Sequence, residues 1–306
     1  MADSSRHNLF FVPETTYGVT PSVDPSFADV RHTGTTLAIT KEAFQSEELH
    51  ADRQIRDFRH GVRAVAGDVS FELSSSSFDD LLEGTFMGSW TGDVLKAGVT
   101  RRSFSLLRQF TDLTASDKPF HLFKGVEFNT FSLSVPASGI VTGSFASIGQ
   151  NMEVNSDMSA YGTPTYGTPE TTAPFDSFTG TITEGGVAIG IVTEISLSLE
   201  NGLAPRNVIG SDETIRPTIG RSNLTGNMTA YFENSVLLEK FLNETESSLT
   251  FTLADAAGNS LQFEIPKIVY NGGQPDVSGQ GAITLSLPFQ ALYDSIDESQ
   301  IVITRS

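Results

Sequence analysis

Asp52-Arg53-Gln54-Ile55-Arg56 is the stretch on which the reading turns, because a looser copy, Asp212-Glu213-Thr214-Ile215-Arg216, stands 160 positions later. A glycine follows each copy (Gly61, Gly220). A second (Gly67, Gly226) opens an alternating segment, Val69-Ser70-Phe71-Glu72-Leu73 in one half and Met228-Thr229-Ala230-Tyr231-Phe232 in the other. Before each copy lies another alternating run, Leu37-Ala38-Ile39-Thr40 or Ile195-Ser196-Leu197-Ser198-Leu199. Each half therefore reads strand, long polar loop, strand, short helix, which makes the chain a duplication.

Composition agrees with a strand-rich protein. The 306 residues are 38% hydrophobic and only 18% charged, with 27 Gly and 22 Phe, a mixture of strand and turn formers thin in helix stock. A net charge of −18 argues against a groove that grips nucleic-acid phosphates, which needs clustered Lys and Arg. Cysteine is absent, which removes disulfides, thiolate catalysis and cysteine metal sites together. The first residues, Met1 to Asn8, hold no apolar segment of signal-peptide length, and no run reaches the roughly 18 apolar residues of a membrane helix. Synthesis in the cytosol, with no membrane partner, is the expectation.

Along the chain, Leu9–Pro13 and Thr16–Pro21 predict an apolar N-terminal arm (1–30), read either as an edge strand or as a segment packed on a neighbouring subunit. Residues 31–152 form the first domain. Its loop 44–62 concentrates Glu47, Glu48, Asp52, Arg53, Arg56, Asp57 and Arg59, a mixture of signs suited to a wet, self-complementary contact. Ser77 is expected to cap a helix over Phe78–Glu83 that Gly84 ends, and Asn234 to precede one over Leu237–Leu242 with Leu238, Phe241 and Leu242 on its buried face. Phe128–Val135 and Ile140–Ala146 predict a hairpin. Residues 153–177, with Tyr161-Gly162-Thr163-Pro164 and Tyr166-Gly167-Thr168-Pro169, predict a linker outside both cores. The second domain, 178–306, is expected to open with a hairpin from Thr179 and to end with a strand over Ala282–Phe289.

No catalytic, cofactor-binding or metal-binding constellation stands out. The histidines (His7, His32, His50, His60, His121) lack zinc spacing, and Glu47-Glu48 and Asp79-Asp80 are neighbours whose geometry does not suit an acid/base pair. An enzymatic role is not expected.

The sequence resembles the major tail tube proteins of long-tailed (siphovirus-type) bacteriophages. The resemblance rests on Pro13-Glu14-Thr15-Thr16-Tyr17-Gly18-Val19-Thr20-Pro21, Gly67 through Leu82, the long loop between two strands, and Gly279 through Leu292 with its Leu287-Pro288-Phe289-Gln290-Ala291-Leu292 end, and it covers nearly the whole chain. It implies a mainly β fold of two tandem β-sandwich domains, each with one short flanking α-helix, whose inner sheets join into a β-barrel across subunits. It also implies trimeric, pseudo-six-fold rings stacked into a hollow tube, contacts with the tape measure, terminator and tail-tip proteins, DNA passing without specific binding, and a place in the virion tail after assembly in the host cytoplasm. Under this reading Asp52, Arg53, Ile55, Arg56, Asp57 and Arg59, with Arg206, Asp212, Glu213, Ile215 and Arg216, are the contacts between rings. The alternatives are another tube-fold tail protein, of baseplate or tail tip, and a two-domain adhesin or carbohydrate-binding module.

Overall fold

The computed structural model describes residues 2–177, 180–277 and 279–306, with the backbone alone at Asp276. The expected start of the second domain at 178 and its first strand residue Thr179 lie outside the described residues. The fold is mainly β, as expected. The first half contains β1 (His7–Glu14), β2 (Ser26–Asp29), β3 (His32–Thr35), β4 (Ala38–Gln45), β5 (Phe58–Glu72), helix α1 (Asp79–Phe86), β6 (Val94–Lys96), β7 (Ser103–Phe110), β8 (Phe120–Pro136), β9 (Thr142–Gly149) and β10 (Asn151–Asn155). After β11 (Thr165–Tyr166) come β12 (Thr181–Glu184), β13 (Val187–Ala188), β14 (Val192–Glu200), β15 (Ala204–Arg206), β16 (Ile215–Thr218) and β17 (Asn223–Tyr231). Helix α2 (Val236–Leu242), β18 (Ser247–Ala254), β19 (Ser260–Tyr270), β20 (Pro275–Asp276), β21 (Thr284–Ala291) and β22 (Val302–Arg305) complete the chain.

Long strands turn the corner between layers. The first part of β8 pairs with β7 and β10 in an outer sheet that continues through β1 to β2. Its second part pairs with β9, then β5, then β4, in an inner sheet. The second half repeats this order. β19 pairs at its start with β18 and β22 in an outer sheet that reaches β12 and β13, and at its end with β21, which pairs with β17 and then β14. Among the described residues the sheet does not close on itself within the chain.

Alternation explains the layering. In β8, Phe128, Phe131, Leu133 and Val135 are buried while Thr130, Ser132 and Ser134 face outward, an irregularity at Asn129 keeping the two sets in phase. The inward rings form a packed aromatic cluster, with Phe71 and Phe145 stacked at 4.7 Å, Phe71 and Phe78 at 4.6 Å and Phe128 and Phe145 at 5.2 Å. Such pairs contribute about 0.5–1.5 kcal/mol each beyond the area they bury. The cluster runs on through Ile195, Leu197 and Leu199 to the stacked pair Phe251 and Phe263 of the second half, so the buried core is continuous along the chain.

Several expectations need correction. β1 is paired on both sides, by β2 and β7, so residues 7–14 are an interior strand of the outer sheet and not an edge strand. The segment 153–177 lies along the first half. β11 pairs with β2, Met158 and Tyr161 are buried against Phe10 and Phe27, and Phe175 is fully buried between Leu73 and Val141, whose backbone it bonds at 2.8 and 3.0 Å. Proline and glycine prevent a long ladder there without preventing single aromatic anchors from being buried. Ser77 does not cap α1, its hydroxyl bonding Ser74 and Ser75 instead, and Gly84 lies inside the helix, where any side chain would strike the Phe104 ring. Met87, in left-handed conformation, ends the helix. In α2, Leu237 is buried and Leu242 exposed, and Asn234 accepts the Val236 amide at 3.0 Å.

Gly67 shows why the repeated glycine matters in the first half. Its φ is +144°, and a Cβ there would sit 2.6 Å from the Leu37 backbone, where Thr36 and Asp68 exchange bonds that turn β3 into β4. Gly67→Ala should destabilise the protein by about 1–3 kcal/mol in urea unfolding, from backbone strain plus the collision.

Candidate assembly surfaces

Two surfaces offer themselves, a polar sheet face and the repeated loops. The face is continuous because β8 and β14 pair directly, Ser134 opposite Ser196, Ser132 opposite Ser198 and Thr130 opposite Glu200. Rows of outward residues therefore cross from one half to the other. One row reads Ser70, Ser144, Ser132, Ser198, Thr225 and Gln290, and the next reads Glu72, Thr142, Ser134, Ser196, Asn227 and Pro288. Ser132 and Ser144 share a hydrogen bond of 2.8 Å. These strands line a shallow groove of about 640 Å³ with no charged residue in its wall. Around it, Asp68, Glu72, Glu194 and Glu200 occupy outward positions, so the charge at its margins is acidic.

The two loops differ although their sequences repeat. The first, between β4 and β5, projects into solvent. Leu49, Ile55, Phe44 and Phe58 are exposed, Asp52 pairs with Arg56 at 3.0 Å, and Arg53 adopts a left-handed φ of 61°. Among the described residues the side chains of Arg53, Asp57 and Arg59 have no ion-pair partner.

The second loop folds back onto the first half. Asp212 pairs with Arg63 at 2.6 Å and accepts the Arg63 amide on its carbonyl at 2.8 Å, Asn151 donates to Glu213, and Thr214 is buried. Arg216 donates from Nε to Glu127 Oε1 at 2.6 Å and lies over the Tyr17 ring. Glu127 is almost wholly buried and takes Arg101 on its other oxygen. Arg206 donates twice to the Arg216 carbonyl, at 2.9 and 2.6 Å, closing the β15–β16 hairpin. Thus Asp212, Glu213 and Arg216 are engaged inside the chain, while Arg206 and Ile215 remain at the surface. The carboxylate that organises this site, Glu127, was not among the residues picked from sequence, because it sits in the long strand β8, far from the loop in sequence.

A polar cluster ties the outer sheet to β3. Arg108 Nε donates to His7 Nε2 at 3.0 Å, so His7 carries its proton on Nδ1 and donates to His32 Nε2 at 2.9 Å, and His32 in turn donates from Nδ1 to the Val30 carbonyl at 2.9 Å. Burial first, then the Arg108 charge, hold the His7 pKa down at about 4. The same two causes lower that of His121.

The family model of phage tail tube proteins matches residues 4–291. The chain belongs to the phage tail tube protein family. It is thus a structural component of a phage tail. Among solved structures, a chain of the six-fold symmetrised cryo-EM structure of the anti-feeding prophage baseplate matches at 11% identity with a TM-score of 0.29, covering 40% of this chain and 91% of that one, a likeness too slight to carry an argument. A comparison with curated proteins finds no match. Among the described residues no three His, Cys, Asp or Glu are placed to hold a metal ion, and no helix is long and apolar enough to cross a membrane.

Two measurements test the electrostatics of this tail tube family member. Glu127→Ala leaves Arg101 and Arg216 facing a buried gap and should cost about 3–5 kcal/mol in urea unfolding, whereas the exposed-pair variant Asp52→Ala should cost about 0–1 kcal/mol. The histidine cluster sets a pH dependence. With His7 titrating near 4 when folded and near 6.5 when unfolded, the unfolded chain binds more protons between these values, so stability falls as pH drops from 6.5 to 4. The unfolding midpoint should fall across that window, and less steeply in His7→Gln.

Proposed function

We propose that the chain polymerises into stacked rings that form the hollow phage tail tube, and that DNA is delivered through its lumen without specific binding. The observation that carries this reading is the β8–β14 seam. It makes one sheet of both halves and leaves an open edge at each end, along β4 and beyond β19, and open edges of this length call for a partner strand. In this reading residues 31–152 and 178–306 are two tube domains, 153–177 connects them, and three chains supply six quasi-equivalent positions around a barrel. The serine- and threonine-rich face lines the lumen. Its acidic margins repel phosphate, so the passing genome meets no trap. The tape measure, terminator and tail-tip proteins are the expected neighbours, and assembly takes place in the host cytoplasm.

The first loop is the joint between rings in this proposal. Arg53, Asp57 and Arg59 present charge, Asp52 and Arg56 brace the turn, and Ile55 and Leu49 supply apolar contact. Arg206 and Ile215 of the second loop stay at the surface and serve the same contact. Asp212, Glu213 and Arg216 brace the second loop from inside the chain. One exposed ion pair contributes only about 0–1 kcal/mol, but a ring repeats every contact by symmetry.

Electron microscopy of the purified protein should show hollow tubes or stacked rings, with three chains per ring by mass. Dispersed monomers at high concentration would overturn the tube reading, and six chains per ring would overturn the pseudo-six-fold arrangement alone. Replacing Arg53, Arg56 and Arg59 together by Glu should leave the circular dichroism spectrum unchanged and abolish stacking.

A further inference from the structure

The seam inside the chain joins two strands whose counterparts in the repeat lie on the open edges of the sheet. Strand pairs in the two halves correspond residue by residue. Ile39 opposes Val65 as Leu199 opposes Leu224, and Gly67 opposes Ser147 as Gly226 opposes Phe289. Phe128 opposes Ser147 as Tyr270 opposes Phe289, and Leu133 opposes Gly143 as Pro275 opposes Leu285. The interruption of β8 at Asn129 is matched by the break between β19 and β20. Ala38 therefore stands where Ser198 stands, and Gln274 where Ser132 stands.

In the chain, Ser198 is opposite Ser132 and Glu200 opposite Thr130. Their counterparts, Ala38 with Thr40 and Gln274 with Gly272, lie on the two open edges, and Ala38, Thr40 and Gln274 are exposed. We propose that Thr35–Thr40 of one copy pairs antiparallel with Gly272–Val277 of a second copy, Ala38 opposite Gln274 and Thr40 opposite Gly272. This rests on the ring reading above and adds which residues close the ring. Pro275 has no amide hydrogen, so it offers a partner strand only its carbonyl, as proline does on edge strands.

The same correspondence says what the joint between chains lacks. Val269 occupies the place of Glu127, so Arg56, the counterpart of Arg216, meets no buried carboxylate on a neighbour and keeps its bond to Asp52. β6, which adds to β22 and so latches the first half onto the second, has no counterpart after α2, where the chain passes directly to β18. Backbone pairing is left as the main bond between chains.

The absence of cysteine makes the test clean. Two single variants, Ala38→Cys and Gln274→Cys, are each checked for tube formation, mixed, assembled and treated with a short bismaleimide. The expected result is transfer of part of the monomer band to dimer on a denaturing gel, since each single variant links only once in a ring of three, and a ladder ending at a closed trimer for the double variant. Thr40→Cys with Val277→Cys, five positions out of register, should stay monomeric. Equal cross-linking of that control, a link formed inside unassembled monomer, or tubes in which Ala38 and Gln274 do not join would each overturn the register while leaving the tube reading intact. Failure of the unmodified chain to form any ring would overturn both.

Discussion

The backbone ladder between β8 and β14 is the contact on which the rest of this molecule depends. Antiparallel pairing spaces strands about 4.8 Å apart and alternates their side chains between faces. Once Ser132 is set opposite Ser198, the phenylalanines of one half and the leucines of the other must share a buried side, and the hydroxyls must share an open one. A slip of β14 by one residue would turn Ser196 and Ser198 inward and expose Leu197 and Leu199. The seam also directs the loop that leaves β14 over the first half, where Arg63 and Glu127 receive it.

The two loops, alike in sequence, make different contacts. Both keep an Asp, an Ile and an Arg at matching places. In the second loop the arginine reaches a buried glutamate on β8. In the first it turns back on its own aspartate, Arg56 to Asp52 at 3.0 Å. A buried charge is tolerated only when paired, so Arg101, Glu127 and Arg216 form one unit whose members depend on one another. The exposed pair Asp52–Arg56 is under no such constraint. It stiffens a projecting turn and little else.

Much of the fold was legible because it is written in short-range patterns. Val69, Phe71 and Leu73, or Ile195, Leu197 and Leu199, alternate with polar residues, and that period alone orients a strand. The presence of both helices followed from their apolar spacing, although the punctuation misplaced both ends of α1, since Ser77 bonds with Ser74 and Gly84 lies inside the helix. The region of Thr, Pro and Gly before the second half was read as having no part in a core. Phe175 shows the limit of that inference: composition reports the average of a segment, whereas a single ring inserted between Leu73 and Val141 is decided by the cavity it fills.

From the sequence by itself came the repeated strand pattern, the strand-rich class and the polar face, because each is a local or periodic property. Tertiary structure alone decided which edges meet and which stay open, that β6 crosses to β22, and that Glu127 rather than a loop residue anchors the second loop. The physical reason is common to all three. These are contacts between segments far apart in the chain, chosen by burial and by the demand that every buried donor, acceptor and charge find a partner, and no short-range pattern records which distant partner meets that demand.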